Sequence, residues 1–237
     1  MNDIQAWKIN NRYKWIYFKH KFCELQKLKW WPCPIEPDIW PVIIRPVINL
    51  TGMSAKVTIA KNLKEYQEQC QHGFFATPIL EGDHLSFDLE IEEGKIISQT
   101  TFIGVKDENH IGCFKYWELI EHNNTNPEVF RYINKLVKKM RKYSGPLNVE
   151  CIGEHIIEAH LRYGDKNILD AYKITMPFYI TPVWINPNSK VKLEDIDLKV
   201  LYPSAIDIIK DSENISVSGN KLKRIAQVLS RRLYSIS

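Results

Sequence analysis

The chain has few of the features that identify a function class at sight. Its five cysteines, Cys23, Cys33, Cys70, Cys113 and Cys151, are odd in number, and no two stand at a metal-ligand spacing. That excludes a fully paired disulfide framework and a thiolate zinc site, and it suits buried free thiols in a reducing compartment. No apolar run approaches the ~20 residues that span a bilayer as a helix. The first residues are polar and then mix Trp with Lys, unlike a secretory signal. A cytoplasmic location is therefore expected, and the sequons at Asn49, Asn123 and Asn214 carry no weight. Charge of one sign is scarce too: 32 Lys+Arg against 28 Asp+Glu leave +4, too little to imply nucleic acid by itself. There is no internal repeat and no low-complexity tract. What is present is a 44% hydrophobic share over 237 residues, enough for an ordered chain with one sizeable core or two small lobes.

The most informative stretch is Leu147 to Arg162. Two apolar-rich runs flank the turn signal Gly153-Glu154, which predicts a β-hairpin. In the second arm Glu158, His160 and Arg162 alternate with Ile157, Ala159 and Leu161, so the polar set shares one face. A loop of about three residues places Glu150 opposite Glu158, and Asn148 opposite His160. Two facing carboxylates repel unless a positive charge lies between them. One candidate is a divalent cation such as Mg²⁺, which takes one or two carboxylates and fills its shell with water and phosphate oxygens. Arg162 adds a guanidinium suited to phosphate or carboxylate. The plainer alternative is a solvated face with the two acids bridged by Arg162. Without any cation one of the pair should hold a proton, and Glu158→Gln should then spare or even stabilise the fold.

Along the chain, Trp15, Phe18, Phe22, Leu25 and Leu28 follow a helical spacing. They predict an amphipathic N-terminal helix whose many lysines form a solvated basic face, with a nucleic-acid arm as the alternative. Pro32, Pro34, Pro37 and Pro41 predict a stiff connector. Strands are expected over 42–44 and 57–60 around a Gly52-Met53-Ser54 loop, whose backbone N–H groups and hydroxyl could bind anions. Asn62 caps a helix over 63–71. Strands follow over 74–80, 85–91, 96–102 and 114–119. Asn126 and Pro127 open a helix to about residue 143. Beyond residue 165, strands are expected over 178–185, 198–202 and 205–209, and an amphipathic helix from Leu222 to Leu233.

The order of strand, loop, strand, hairpin, helix and acidic hairpin resembles the ATP-grasp superfamily over roughly residues 41–165. Three runs also resemble a small group of bacterial and viral ATP-grasp-like proteins: Asn49 to Met53, Phe114 to Trp117 and Asn148 to Arg162. The resemblance implies an α+β, two-lobed fold of mostly antiparallel sheets with flanking helices, without the usual N-terminal α/β substrate domain. Its parts would be a basic and aromatic helix with a Pro-rich connector (1–40), a first lobe (41–104), and a second lobe with the acidic hairpin and a C-terminal helix (105–237). It implies that Glu150, Glu158 and His160 hold the Mg²⁺ of Mg-ATP, His160 standing where Asn is usual. Arg45 replaces the usual Lys before a proline, and Gly52, Met53 and Ser54 form the loop that closes on the triphosphate. Thr77, Glu81 and His84 fall at the adenine and ribose positions. Arg45 and Arg162 would bind the transferring phosphate or an acylphosphate.

The implied activity is ATP-dependent ligation of a carboxylate to an amine or thiol through an acylphosphate, with a partner protein as one source of the substrate. Two other readings stay open at this point. One is a catalytically inactive binding or assembly protein on the same fold. The other is a basic nucleic-acid-binding protein, which the modest net charge disfavours. No membrane partner is expected.

Overall fold

The computed structural model describes residues 3–50, 57–106, 114–120, 126–164 and 179–180. They form an α+β arrangement of two antiparallel sheets with flanking helices. The order is α1 (Asp3–Ile9), a 3₁₀ segment (Asn11–Tyr17), α2 (His20–Gln26), β1 (Trp31–Pro32), β2 (Val42–Pro46), β3 (Thr58–Ala60) and α3 (Leu63–Gln69). Then follow β4 (Phe74–Pro78), β5 (His84–Glu92), β6 (Lys95–Lys106), β7 (Phe114–Ile120), α4 (Pro127–Lys138), β8 (Gly145–Ile152), β9 (His155–His160) and β10 (Tyr179–Ile180). One sheet is four-stranded in the order β1-β4-β2-β3, the other six-stranded in the order β10-β7-β6-β5-β8-β9.

The alternation in the sequence explains the second sheet. Leu85, Phe87, Leu89 and Ile91 of β5 share a face with Leu147, Val149 and Cys151 of β8, and pack under Val129, Ile133 and Leu136 of α4. The opposite face carries Ser86, Asp88, Asn148, Glu150, Glu158 and His160. The smaller sheet packs Val42, Ile44 and Ala76 beneath Tyr66 of α3. The Asn62 side chain accepts from the Glu65 N–H, while Glu65 accepts from the Lys61 N–H, a reciprocal cap that starts α3.

The N-terminal region departs from the single helix read in the sequence. It is broken into α1, the 3₁₀ segment and α2, because it wraps the free edge of β9 instead of lying on one face. Gln26 takes the place of a neighbouring strand there: its Oε1 accepts from the Ile156 N–H at 2.6 Å and its Nε2 donates to the Ile156 carbonyl at 2.9 Å. The Tyr17 hydroxyl accepts from the Leu161 N–H at 3.2 Å, and Arg45 donates to the Ile157 carbonyl at 3.4 Å. These side chains satisfy an edge that would otherwise offer unpaired backbone groups. The basic face is also not wholly solvated, since Lys19 is buried. The helix expected to reach residue 143 ends at Lys138 and continues as turns. Among the described residues no helix is long and apolar enough to cross a membrane. The strands expected over 198–202 and 205–209 and the C-terminal helix lie outside the described residues, as do Gly52, Met53 and Ser54.

Candidate functional site

The register pairs Glu150 with Glu158 and Asn148 with His160. A bulge makes this possible: Cys151 pairs with Ile156, so Ile157 is the extra residue of β9. Bulges of this kind re-aim side chains beside functional sites. Ligand atoms of Glu150, Glu158 and His160 all lie within 4.8 Å of one another.

Each member of the cluster is held from outside the hairpin. His160 Nδ1 donates to Asp3 Oδ1 at 3.0 Å, and Arg162 Nη2 donates to Asp3 Oδ2 at 2.9 Å. Burial raises the Asp3 carboxyl, but His160 and Arg162 outweigh it and hold Asp3 below its ordinary range. An ionised Asp3 only accepts, so Nδ1 carries the proton. Nε2 is then left facing Glu158 Oε2, at 3.9 Å. Nδ1 to a carboxylate and Nε2 inward is the arrangement that orients metal-bound imidazoles. His84 Nε2 donates to Glu150 Oε2 at 3.1 Å, and its ring stands edge-on to Trp117 with centroids 5.5 Å apart. The Lys19 ammonium is ion-paired with Glu158 Oε2.

Lys19 corrects two expectations. Glu158 is not the acid that holds a proton: burial raises its carboxyl, but the ion pair with Lys19 drives it far below the carboxylate range. Glu158→Gln therefore breaks an ion pair rather than relieving repulsion. Nor does Arg162 bridge the two acids through hydrogen bonds; its partners are Asp3 and the Tyr163 carbonyl.

Arg45 and Thr77 belong to the four-stranded sheet. The pairings Ile43 with Thr77 and Arg45 with Phe75 place all four on one face. Arg45 bonds the carbonyl beside Glu158, sits over the Phe75 ring at 5.1 Å, and lies against Cys23. Burial pulls its proton affinity down, with Cys23 and Glu158 opposing. Arg45 Nε and Thr77 Oγ1 are both buried with no hydrogen-bond partner. Glu81 is exposed, in the connection from β4 to β5. The structure thus gathers Glu150, Glu158 and His160, with His84 on Glu150, Asp3 and Arg162 behind His160, and Arg45 beside Glu158, and leaves Glu81 exposed in the β4–β5 connection.

Sequence reasoning missed Asp3, Lys19, Tyr17 and Gln26. They contact β9 and the residues after it from more than 120 positions away, and no local periodicity marks such contacts. The residues present suit a hard divalent ion: two carboxylates, plus an imidazole whose second nitrogen is already committed to an acid. The buried unpartnered atoms of Arg45 and Thr77 suit a polar ligand lying against the smaller sheet.

No family model matches the chain, and no curated protein matches its sequence. Solved structures do. An L-amino acid ligase from Bacillus licheniformis matches with a TM-score of 0.51 at 14% identity, over 65% of this chain and 42% of that one. A candidate ATP-grasp superfamily protein from Archaeoglobus fulgidus matches at 0.45 and 15% identity, over 67% and 50%. A carboxyaminoimidazole ribonucleotide synthase from Aspergillus clavatus, solved with ATP, matches at 0.48 and 10%, over 64% and 46%. The chain therefore spans half or less of the length of each of these proteins. The likeness is one of fold, and the fold is α+β and ATP-grasp-like.

Proposed function

We propose that the protein is an ATP-dependent ligase that joins a carboxylate to an amine or thiol through an acylphosphate. The observation that carries this reading is the convergence of two sets of groups. Glu150, Glu158 and His160 gather within 4.8 Å, and Arg45, bonded beside Glu158, keeps a buried Nε without a partner, as Thr77 keeps its Oγ1. A buried polar atom without a partner costs stability, and a bound ligand removes that cost.

In this reading a carboxylate oxygen of the substrate attacks the γ-phosphorus of ATP and ADP leaves. The amine or thiol then attacks the acyl carbon, phosphate leaves, and the nucleophile gives up its proton. Glu150, Glu158 and His160 would hold Mg²⁺, which supplies positive charge to the phosphate oxygens when bound. Asp3 fixes His160, and His84 fixes Glu150. Arg45 and Thr77 meet the nucleotide from the smaller sheet, with Gly52, Met53, Ser54 and Glu81 assigned to the rest of its contacts. Arg162, tethered by Asp3, is the cation for the phosphate or acylphosphate. Rate enhancement then comes from positioning and fixed charge.

A second reading is favoured by one observation. Lys19 already neutralises Glu158, as it would in an inactive binding or assembly protein that kept the fold. Calorimetric titration of Mg-ATP into wild type and Glu150→Gln tests the nucleotide part. The wild type should give a saturable heat and Glu150→Gln a much weaker one. Phosphate release with pooled carboxylates and amines separates the readings. Release supports the ligase, binding without release supports the second reading, and no heat with either protein sinks both nucleotide roles.

A further inference from the structure

Lys19 lies 131 positions before Glu150 and belongs to no motif, yet its side chain is 7% exposed and its ammonium rests on Glu158 Oε2. That oxygen is the one that faces His160 Nε2 at 3.9 Å. An ion coordinated by both atoms would compete with the ammonium for Oε2. Lys19 is fixed at its backbone as well, since its N–H donates to the Val47 carbonyl at 2.9 Å, just beyond the end of β2.

The charges around the cluster give the argument its second part. Lys19 is ion-paired with Glu158 and Arg162 with Asp3, and Arg45 adds a third cation beside Glu158; Glu150 and the buried Asp88 are the remaining carboxylates of this face. His84 and His160 each donate one ring N–H to a carboxylate, which a neutral ring does as well as a charged one. A bare dication approaching Glu158 meets a resident cation already paired with it. A dication carried by a polyphosphate brings its own negative charge with it. Arg45, which bonds the carbonyl beside Glu158 through Nη1, keeps its buried Nε without a partner.

We infer that Lys19 is the resident counter-cation of this site: a divalent ion coordinates Glu158 only by displacing it, so the metal enters together with an anionic ligand and not ahead of it. This rests on the metal role given to the hairpin above. It assigns to the N-terminal segment control over what occupies the site.

The test is titration of Mn²⁺ without nucleotide, with free ion followed by its paramagnetic resonance signal. Wild type, Lys19→Met and Lys19→Met/Glu150→Gln are compared. Wild type should bind weakly. Lys19→Met should bind at least about tenfold tighter, the scale on which groups around a ligand set alter metal affinity, and the double variant should lose that gain. Equal affinity of wild type and a folded Lys19→Met overturns the inference. Removing Lys19 leaves Glu158 without its partner, so a measurement on the wild type stands beside the variants. With Mn²⁺ and ATP present, Lys19 should become more reactive to reductive methylation read by mass spectrometry. Unchanged reactivity while the resonance signal shows the ion bound also overturns it. If wild type binds no nucleotide but Lys19→Met gains Mn²⁺ affinity, the inference stands and the ligase reading falls. If wild type binds Mg-ATP and Lys19→Met gains nothing, the reverse holds.

Discussion

Phe87 and Asp88 are neighbours on β5, both completely buried, and they face opposite ways. Phe87 meets α4, where its ring stands 5.6 Å from Phe130 and its stability comes from area removed from water. Asp88 accepts from Asn148 Nδ2 at 2.8 Å and from the Gly164 N–H at 2.6 Å. At this point of the sheet the two faces are equally dry and differently maintained. On the apolar face a neighbour can be exchanged for another of similar shape at modest cost. On the polar face each group depends on a particular partner, because a buried donor, acceptor or charge left alone is costly.

The largest effect expected is on the apolar face: Phe87→Ala should destabilise by about 4 kcal/mol in urea unfolding. Glu158→Gln should follow at about 3 kcal/mol, because it strands the buried Lys19 ammonium. The contrast is sharpened by pairing each with Lys19→Met. Phe87→Ala and Lys19→Met should add, whereas Glu158→Gln and Lys19→Met should cost clearly less together than their sum. Additivity in both pairs would erase the distinction between the faces.

A smaller effect concerns pH. Glu158 and Asp3 both have folded-state affinities for protons below their ordinary values. Each contributes stability that is fully present above the unfolded carboxylate pKa and is lost as pH falls toward the folded one. Wild-type melting temperature should therefore decline once pH drops below about 5. Lys19→Met should flatten that decline by removing the leading cause of the Glu158 depression, while Phe87→Ala should leave its slope unchanged. An identical slope in wild type and Lys19→Met would contradict the ion pair. The smallest effect lies outside both faces: Asn62→Ala removes the cap of α3 and should cost about 1 kcal/mol in the same urea assay.

The same contrast explains what could be read from the sequence. Alternation in 85–91 and 147–162 was enough to place the strands and their faces, because period is local; Glu150 does pair with Glu158, but through a two-residue turn and a bulge at Ile157 where a loop of about three residues was expected. The caps at Asn62 and Asn126 were legible for the same reason. The partners of the polar face were not. Asp3 reaches His160 across 157 positions, and Lys19 sits in a run of aromatics and lysines whose spacing suggested only a helix. Nothing in that spacing says which lysine is buried, since burial of a charge depends on finding an opposite one elsewhere in the fold. The continuous helix was misread because covering a strand edge requires a bent chain, and hydrophobic periodicity does not record the edge.

One backbone contact ties the crossing between the two sheets to the acidic hairpin. The connection from β4 to β5 runs over the tip of the acidic hairpin, where the Gly153 N–H donates to the Asp83 carbonyl at 2.9 Å. A Cβ on Gly153 would stand 2.5 Å from the Glu81 carbonyl oxygen, and one on Gly82 2.8 Å from the Gly153 Cα. Main chain therefore touches main chain, with no side chain between to yield. A side chain at either glycine would push the crossing between the sheets off the hairpin tip, and with it the line that joins Thr77 to Glu150.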